Sequence, residues 1–211
     1  MVGPSSSHTA GALRLGLLAG AALGTTPKRA TVGLHGSFAT TYRGHGTDRA
    51  VVAGLLGMAP DDERIPRSLQ VAREKGLEVA FEVIDLGPGV HPNTLTFALE
   101  ADERTGTLTG SSVGGGAVKV TEVNGREVEI TGEFDTLLVV ADDVPGTTAQ
   151  VTRLLAERAV NIAFLEVTRR KRGGEATMIV QADQSIPRDV IEAVQGFEWV
   201  KSVRRLQKVT E

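Results

Sequence analysis

A mixed α+β protein built from two units is the fold class that this 211-residue chain predicts. Three observations carry it. Helical and strand periodicities interleave along the whole length. Residues 136–206 read β-α-β-β-α-β, the order of a ferredoxin-like unit. Near Gly132-Glu133-Phe134 the pattern stops and restarts, which divides the chain into an N-terminal α/β unit at 1–132 and a C-terminal unit at 133–211.

The N-terminal elements follow in order. Thr9 to Leu23 reads as a helix of small and apolar residues in which Arg14 is the one charge. Gly11, Gly16 and Gly20 weaken it as an isolated helix but let another backbone come close, so it packs against a neighbour. Ala30–Leu34 is a strand, and His35-Gly36-Ser37 a turn. Thr47–Leu56 is a helix with Thr47 as N-cap and Asp48 in its first turn. Pro66–Lys75 is a further helix closed by Gly76. Leu77–Leu86 has strand composition, broken by Gly87-Pro88-Gly89. Asn93–Glu100 and Thr105–Ser111 are strands, and so are Ala117–Glu122 and Glu127–Thr131, which flank the Asn124-Gly125 hairpin signal.

In the second unit, Thr136–Ala141 is a strand and Asp142-Asp143-Val144-Pro145-Gly146 a turn. Thr147–Arg158 is amphipathic, with Val151, Leu154 and Leu155 on one face. Asn161–Arg169 and Glu175–Gln181 are strands around the basic turn Lys171–Gly174. The helix Pro187–Gln195 and the strand Trp199–Leu206 complete the order.

Composition excludes several function classes. A formal charge of −3 and a pI near 5.9 give no general attraction to nucleic acid or to an anionic membrane. Aromatic residues at 4% leave few platforms for stacking bases. The apolar stretch Leu13–Leu23 is too short to span a bilayer. There is no cysteine, so this chain by itself ligates no iron–sulfur cluster and forms no disulfide, which agrees with a cytoplasmic setting.

All four histidines fall in the first 91 residues, each among Gly, Ser, Thr or Pro, which places each on a loop. The first lies in Gly3-Pro4-Ser5-Ser6-Ser7-His8-Thr9, just before a helix. Hydroxyls and the free N–H groups of a first helical turn make an anion site, and an imidazole titrates near neutral pH. By residue types alone, a capping cluster with a solvated histidine explains the same loop. His45-Gly46-Thr47-Asp48-Arg49 repeats the logic, against a bland reading in which Asp48 and Arg49 pair on the surface. In the second unit, Asp143-Val144-Pro145-Gly146 before a helix, with Asn161-Ile162 opening the next strand, resembles the ACT domain, a small regulatory module. That resemblance implies an amino-acid ligand at Pro145, Gly146, Asn161 and Ile162, and side-by-side dimerisation. Pro145-Gly146 as a mere turn is the competing reading.

Gly3-Pro4-Ser5-Ser6-Ser7-His8-Thr9-Ala10-Gly11, then Gly44-His45-Gly46-Thr47-Asp48-Arg49-Ala50, then His91-Pro92-Asn93-Thr94, followed by an ACT-like tail, resemble the β chain of bacterial iron–sulfur L-serine dehydratase. The resemblance covers nearly the whole chain. It implies conversion of L-serine to pyruvate and ammonia (L-serine ammonia-lyase) together with an α subunit whose cysteines hold a [4Fe–4S] cluster at which the substrate hydroxyl departs. It implies that this chain is inactive alone and closes the site. His8 is then the proton-transfer residue or its close partner. Ser5, Ser6, Ser7 and Thr9 bind the substrate carboxylate, and His45, Asp48, Arg49, His91 and Asn93 support the loop or the α-subunit contact, with no metal ligand in this chain. Family members carry a further segment before the first motif, where only Met1 and Val2 stand here, so the motif is expected at a frayed terminus. The rival expectation is a non-catalytic regulator that binds an amino acid or phosphoserine.

Overall fold

The computed structural model describes residues 7–210 and divides them into two units, residues 7–132 with Thr210, and residues 133–209. In the first unit a π-helical turn, Ser7–Gly11, runs directly into α1 (Ala12–Leu23). Then come β1 (Arg29–His35), α2 (Ser37–His45) and α3 (Thr47–Leu55). A 3₁₀ turn, Ile65–Arg67, leads into α4 (Ser68–Glu74) and β2 (Glu78–Ile84). Four strands finish the unit: β3 (Thr94–Ala101), β4 (Arg104–Gly114), β5 (Ala117–Val123) and β6 (Arg126–Ile130).

The sheet runs β2-β1-β3-β4-β5-β6, with β1 and β2 parallel and every other pair antiparallel. Alternation along β1 and β3 buries Val32, Leu34, Leu95 and Phe97, and Leu15, Leu18, Val51 and Val52 from α1 and α3 complete the core. Helices α1 and α3 touch backbone to backbone: a Cβ at Gly16 would lie 2.5 Å from the Val51 carbonyl, and one at Gly54 would lie 2.8 Å from Leu17 N. The small residues of α1 serve this contact, as the sequence suggested. Asn124 and Gly125 both have positive φ, the conformation the hairpin signal demands.

The second unit comprises β7 (Asp135–Asp142), α5 (Thr147–Glu157), β8 (Ile162–Arg169), β9 (Glu175–Ala182), α6 (Arg188–Gln195) and β10 (Val200–Leu206). Its antiparallel sheet runs β10-β7-β9-β8, the ferredoxin-like arrangement. Val151, Leu155, Val190 and Val194 from the helices pack on Leu137, Val139 and Val180. Arg205 closes the open end with a two-pronged pair to Asp135 at 2.8 and 2.7 Å, both largely withdrawn from water. Among the described residues no helix is long and apolar enough to cross a membrane.

The structure corrects three expectations. Residues 37–45 form α2 rather than a turn and loop. Thr and Gly are poor helix formers, so propensity hides this helix. Burial of Phe38 holds it in place, and Gly36 and Gly46 bound it at positive φ. Consequently His45 ends a helix, His35 ends β1 and His8 sits in the π-helical turn; of the four histidines His91 alone lies in a turn between elements. Lastly, Thr47 is not an N-cap. Gly46 holds that position, and the Thr47 hydroxyl is buried with no hydrogen-bond partner among the described residues.

Candidate active site

A π turn at Ser7–Gly11, wider than an α turn by about one residue, carries His8 at the head of α1. His8 is held from three sides by α2. Its Nε2 lies 3.2 Å from Ser37 Oγ. Its ring meets the buried Phe38 edge-on, with centroids 5.2 Å apart. The His45 ring faces it at 4.8 Å, tilted by 33°. His45 Nδ1 lies 3.2 Å from the Thr41 carbonyl, which only accepts, so that nitrogen carries the proton. Burial lowers the His8 pKa from its ordinary 6.5, and the neighbouring His45 lowers it further. Both effects favour the uncharged imidazole, the form that accepts a proton.

His91-Pro92-Asn93-Thr94 is the bracket that locates these pieces. The Pro92 carbonyl accepts Ser37 N–H at 2.8 Å, and the Asn93 carbonyl accepts Ser112 N–H at 2.9 Å. Gly36 makes the first contact possible: at φ +59°, a Cβ there would lie 2.7 Å from Pro92 Cα. Thr94 Oγ1 donates to the His91 carbonyl at 2.6 Å and lies 2.7 Å from Ser111 Oγ. Against β4, Gly11 of the π turn rests on Ser112, where a Cβ would stand 2.6 Å from the serine Cβ. The hydroxyl of Ser112 and the side-chain oxygen of Asn93 are buried without partners among the described residues.

The expected residues are thus distributed unevenly. Ser5 and Ser6 lie outside the described residues. Ser7 opens the π turn and Thr9 is buried within it. His45 joins His8 directly. Asp48 turns to its own helix, accepting Arg49 N–H at 2.8 Å, while the Arg49 side chain is exposed. His91 accepts Asn93 N–H through Nδ1 at 3.1 Å, a local turn contact. Sequence reasoning missed Ser37, Phe38 and Ser112. The two glycines bracketing 37–45 were the available signal for the first pair; for Ser112 there was none.

In the second unit, Gly146 at φ +90° caps α5 after Pro145, as a turn residue does. Asp143 anchors that turn by accepting Gly173 N–H at 2.9 Å and Arg169 Nη1 at 2.7 Å. The first of these bonds, then the second, holds its carboxyl below the usual range. Asn161 and Ile162 line an open groove of about 480 Å³ with Thr152, Arg153 and Ala156, whereas Pro145 and Gly146 do not border it. The Asn161 amide nitrogen donates to Asp183 at 2.6 Å, and its backbone N–H to Gln184 at 2.7 Å. The groove thus brings together two of the four residues expected to hold a ligand there.

Comparison with known proteins agrees with this division. Residues 1–123 match the family model described as serine dehydratase beta chain, and residues 136–198 match the ACT domain. A probable L-serine dehydratase beta chain of Bacillus subtilis is 43% identical over 206 residues, covering 98% of this chain and 93% of that protein. The L-serine dehydratase beta chain of Peptoniphilus asaccharolyticus is 38% identical, covering 94% and 90%. The D-3-phosphoglycerate dehydrogenase of Methanocaldococcus jannaschii is 30% identical over 111 residues, 53% of this chain and 21% of that protein.

Proposed function

The chain belongs to the serine dehydratase β-chain family, and on that premise we propose that it is the β subunit of an L-serine dehydratase in which His8 moves the substrate's α-proton. One observation carries the reading: His8 and His45, from two of the motifs, face each other, the third motif ties down Ser37, which touches His8, and burial and His45 both lower the His8 pKa. A neutral base beside hydroxyl groups suits removal of a proton next to a carboxylate. Ser37, Phe38 and His45 fix the ring, so little reorganisation is needed when L-serine arrives. Ser5, Ser6, Ser7 and Thr9 would orient the carboxylate. Loss of the Cα proton to His8 and of the β-hydroxyl leaves aminoacrylate, which tautomerises and hydrolyses to pyruvate and ammonia.

The family suggests an iron–sulfur enzyme, and this chain's donors do not fit such a group. It has no cysteine, and among the described residues no three His, Asp or Glu side chains converge. A [4Fe–4S] cluster would therefore be held by an α subunit, in a cytoplasmic αβ enzyme. His45, Asp48, Arg49, His91 and Asn93 act as supports of the His8 wall or of the contact with that subunit.

The ACT domain supplies amino-acid-linked regulation through the groove beside Asn161 and Ile162, and pairs with a second copy of itself. Its outer strand β8 exposes Phe164 (58%), Leu165 (42%) and Val167 (48%) beside an unpaired edge, a surface suited to strand addition. The deciding test is His8→Ala in the reconstituted αβ enzyme with its cluster intact. A fall in turnover of roughly 10²- to 10⁴-fold is expected. Near-normal turnover removes His8 from the mechanism, and absence of activity in the assembled wild type removes the assignment itself.

A further inference from the structure

Among the described residues Arg14 has no counter-ion. It is half-buried on α1, two turns beyond His8, and its Nη1 donates to the Gly116 carbonyl at 2.7 Å. Its Nε is buried and has no hydrogen-bond partner among the described residues. The other described cations of this unit that are not fully exposed differ: Lys119 pairs with Glu129 at 3.0 Å, and Arg126 has contacts of its own. Even exposed Lys28 and Arg29 pair, with Asp102 and Glu100. A half-buried guanidinium left with one carbonyl has lost hydration that no anion in the described chain restores.

The surroundings fit an incoming anion. Gly114, Gly115 and Gly116 all have positive φ and present backbone without side chains. Gly114 and Gly115 are exposed, so a small molecule can approach the guanidinium closely. Gly116 also adjoins the His8 turn, since a Cβ on it would lie 3.3 Å from the Ala10 Cβ and 2.9 Å from Arg14 Nη1. The hydroxyls assigned to the substrate carboxylate above are neutral; a carboxylate leaving water binds far better to a formal positive charge in a fork geometry.

We infer that Arg14, with the Gly114–Gly116 loop beneath it, is the charged anchor for the α-carboxylate of the amino-acid substrate. The inference rests on the L-serine dehydratase reading, and it makes Arg14 a substrate-binding residue rather than a proton carrier. In the reconstituted αβ enzyme, Arg14→Gln should raise KM for L-serine by about 10- to 100-fold, the loss of one charge-assisted contact. Turnover at saturation and the α–β dissociation constant should change little, and Arg14→Lys should recover part of the loss.

A second measurement uses the full chain alone, labelled with ¹⁵N-arginine. Acetate and L-serine should shift the Arg14 Nε–H signal, and ethanolamine, which is serine without its carboxylate, should not. A weakened α–β complex with unchanged KM would overturn the inference by giving the anion to the partner subunit. Equal shifts with ethanolamine, or no shift with any of the three, would overturn it as well. If the wild-type enzyme lacks serine dehydratase activity, the functional reading fails while the Nε–H titration still decides whether Arg14 takes a carboxylate.

Discussion

Replacing Gly11 by alanine tests whether the π turn is what aims His8. Gly11 has φ −63°, so alanine adopts its backbone without strain and any effect is steric. The added methyl would lie 2.6 Å from the Cβ of Ser112, a residue wholly withdrawn from solvent. Carbon atoms rest about 3.5–4.0 Å apart, so the turn and β4 must separate by about 1 Å. Ser112 is held in place by the bond from its N–H to the Asn93 carbonyl at 2.9 Å, so most of the movement falls on the turn. Overpacking of this size costs about 1–3 kcal/mol of stability. A displacement of about 1 Å at a reacting group costs on the order of 10²-fold in rate.

The assay is kcat/KM of the αβ enzyme alongside the melting temperature of the β subunit. Gly11→Ala should lose roughly 10²-fold in kcat/KM with every chemical group retained. Adding Ser112→Gly removes both atoms that the methyl meets, and the double variant should recover most of that loss. Full activity in Gly11→Ala refutes the steric argument. Failure of the double variant to recover shows that the glycine matters for some reason other than Ser112.

Three further outcomes follow from the geometry. In His45→Gln the second contribution to the lowered His8 pKa disappears, so the acid limb of the kcat/KM–pH profile should move to higher pH, though not fully to the ordinary 6.5, because burial remains. A limb that stays put or moves down would contradict this. The linked stability has the opposite dependence to a carboxylate–cation pair only in appearance: because the folded pKa of His8 is depressed, its contribution is present above 6.5 and fades as pH falls through the lowered value. Asp135→Asn breaks the two-pronged pair with Arg205, and urea unfolding should show a loss of about 3 kcal/mol; a loss under about 0.5 kcal/mol would mean that water already screens the pair. Phe164→Lys places a charge on the exposed strand β8, and sedimentation should find the ACT-mediated pair dissociated, whereas an unchanged oligomer moves that interface elsewhere.

Much of the fold was legible because its elements obey simple periodicities. The second unit's six elements agree with their structural bounds to within a residue or so, since each strand is a short run rich in apolar and β-branched residues bounded by turn signals and each helix buries one face. Asn124-Gly125 announced its hairpin through a dihedral requirement that few other residues meet. Helix α2 was not legible because its stability comes from Phe38 entering a core assembled from distant strands. Of the candidate site, the motif residues His8 and His45 could be named, but not the fact that their rings face each other. That contact joins positions 37 apart and depends on α2 being a helix. Ser112 and Arg14 escaped for a related reason: each matters through a contact with a glycine, Gly11 or Gly116, and a glycine's partner leaves no trace in the residue itself.

The geometry also explains why His91 and Asn93 belong to the motif set without standing beside the imidazole as reactive groups. The segment acts mainly through its main chain. The carbonyls of Pro92 and Asn93, adjacent in the chain, accept one bond from the start of α2 and one from β4. The first bond positions Ser37, which touches His8, and the second positions Ser112, on which the His8 turn rests. The imidazole is therefore gripped between two walls tied to a single dipeptide, and the walls cannot drift apart without breaking one of those bonds. Proline suits this place because its fixed φ limits the freedom of the tie, and it needs no N–H there. His91 serves the same end by accepting Asn93 N–H, closing the turn that sets the direction of both carbonyls. On the proposed reading His91 is a positioning group, and a substitution there should act on the rate through the placement of His8 rather than through proton transfer of its own.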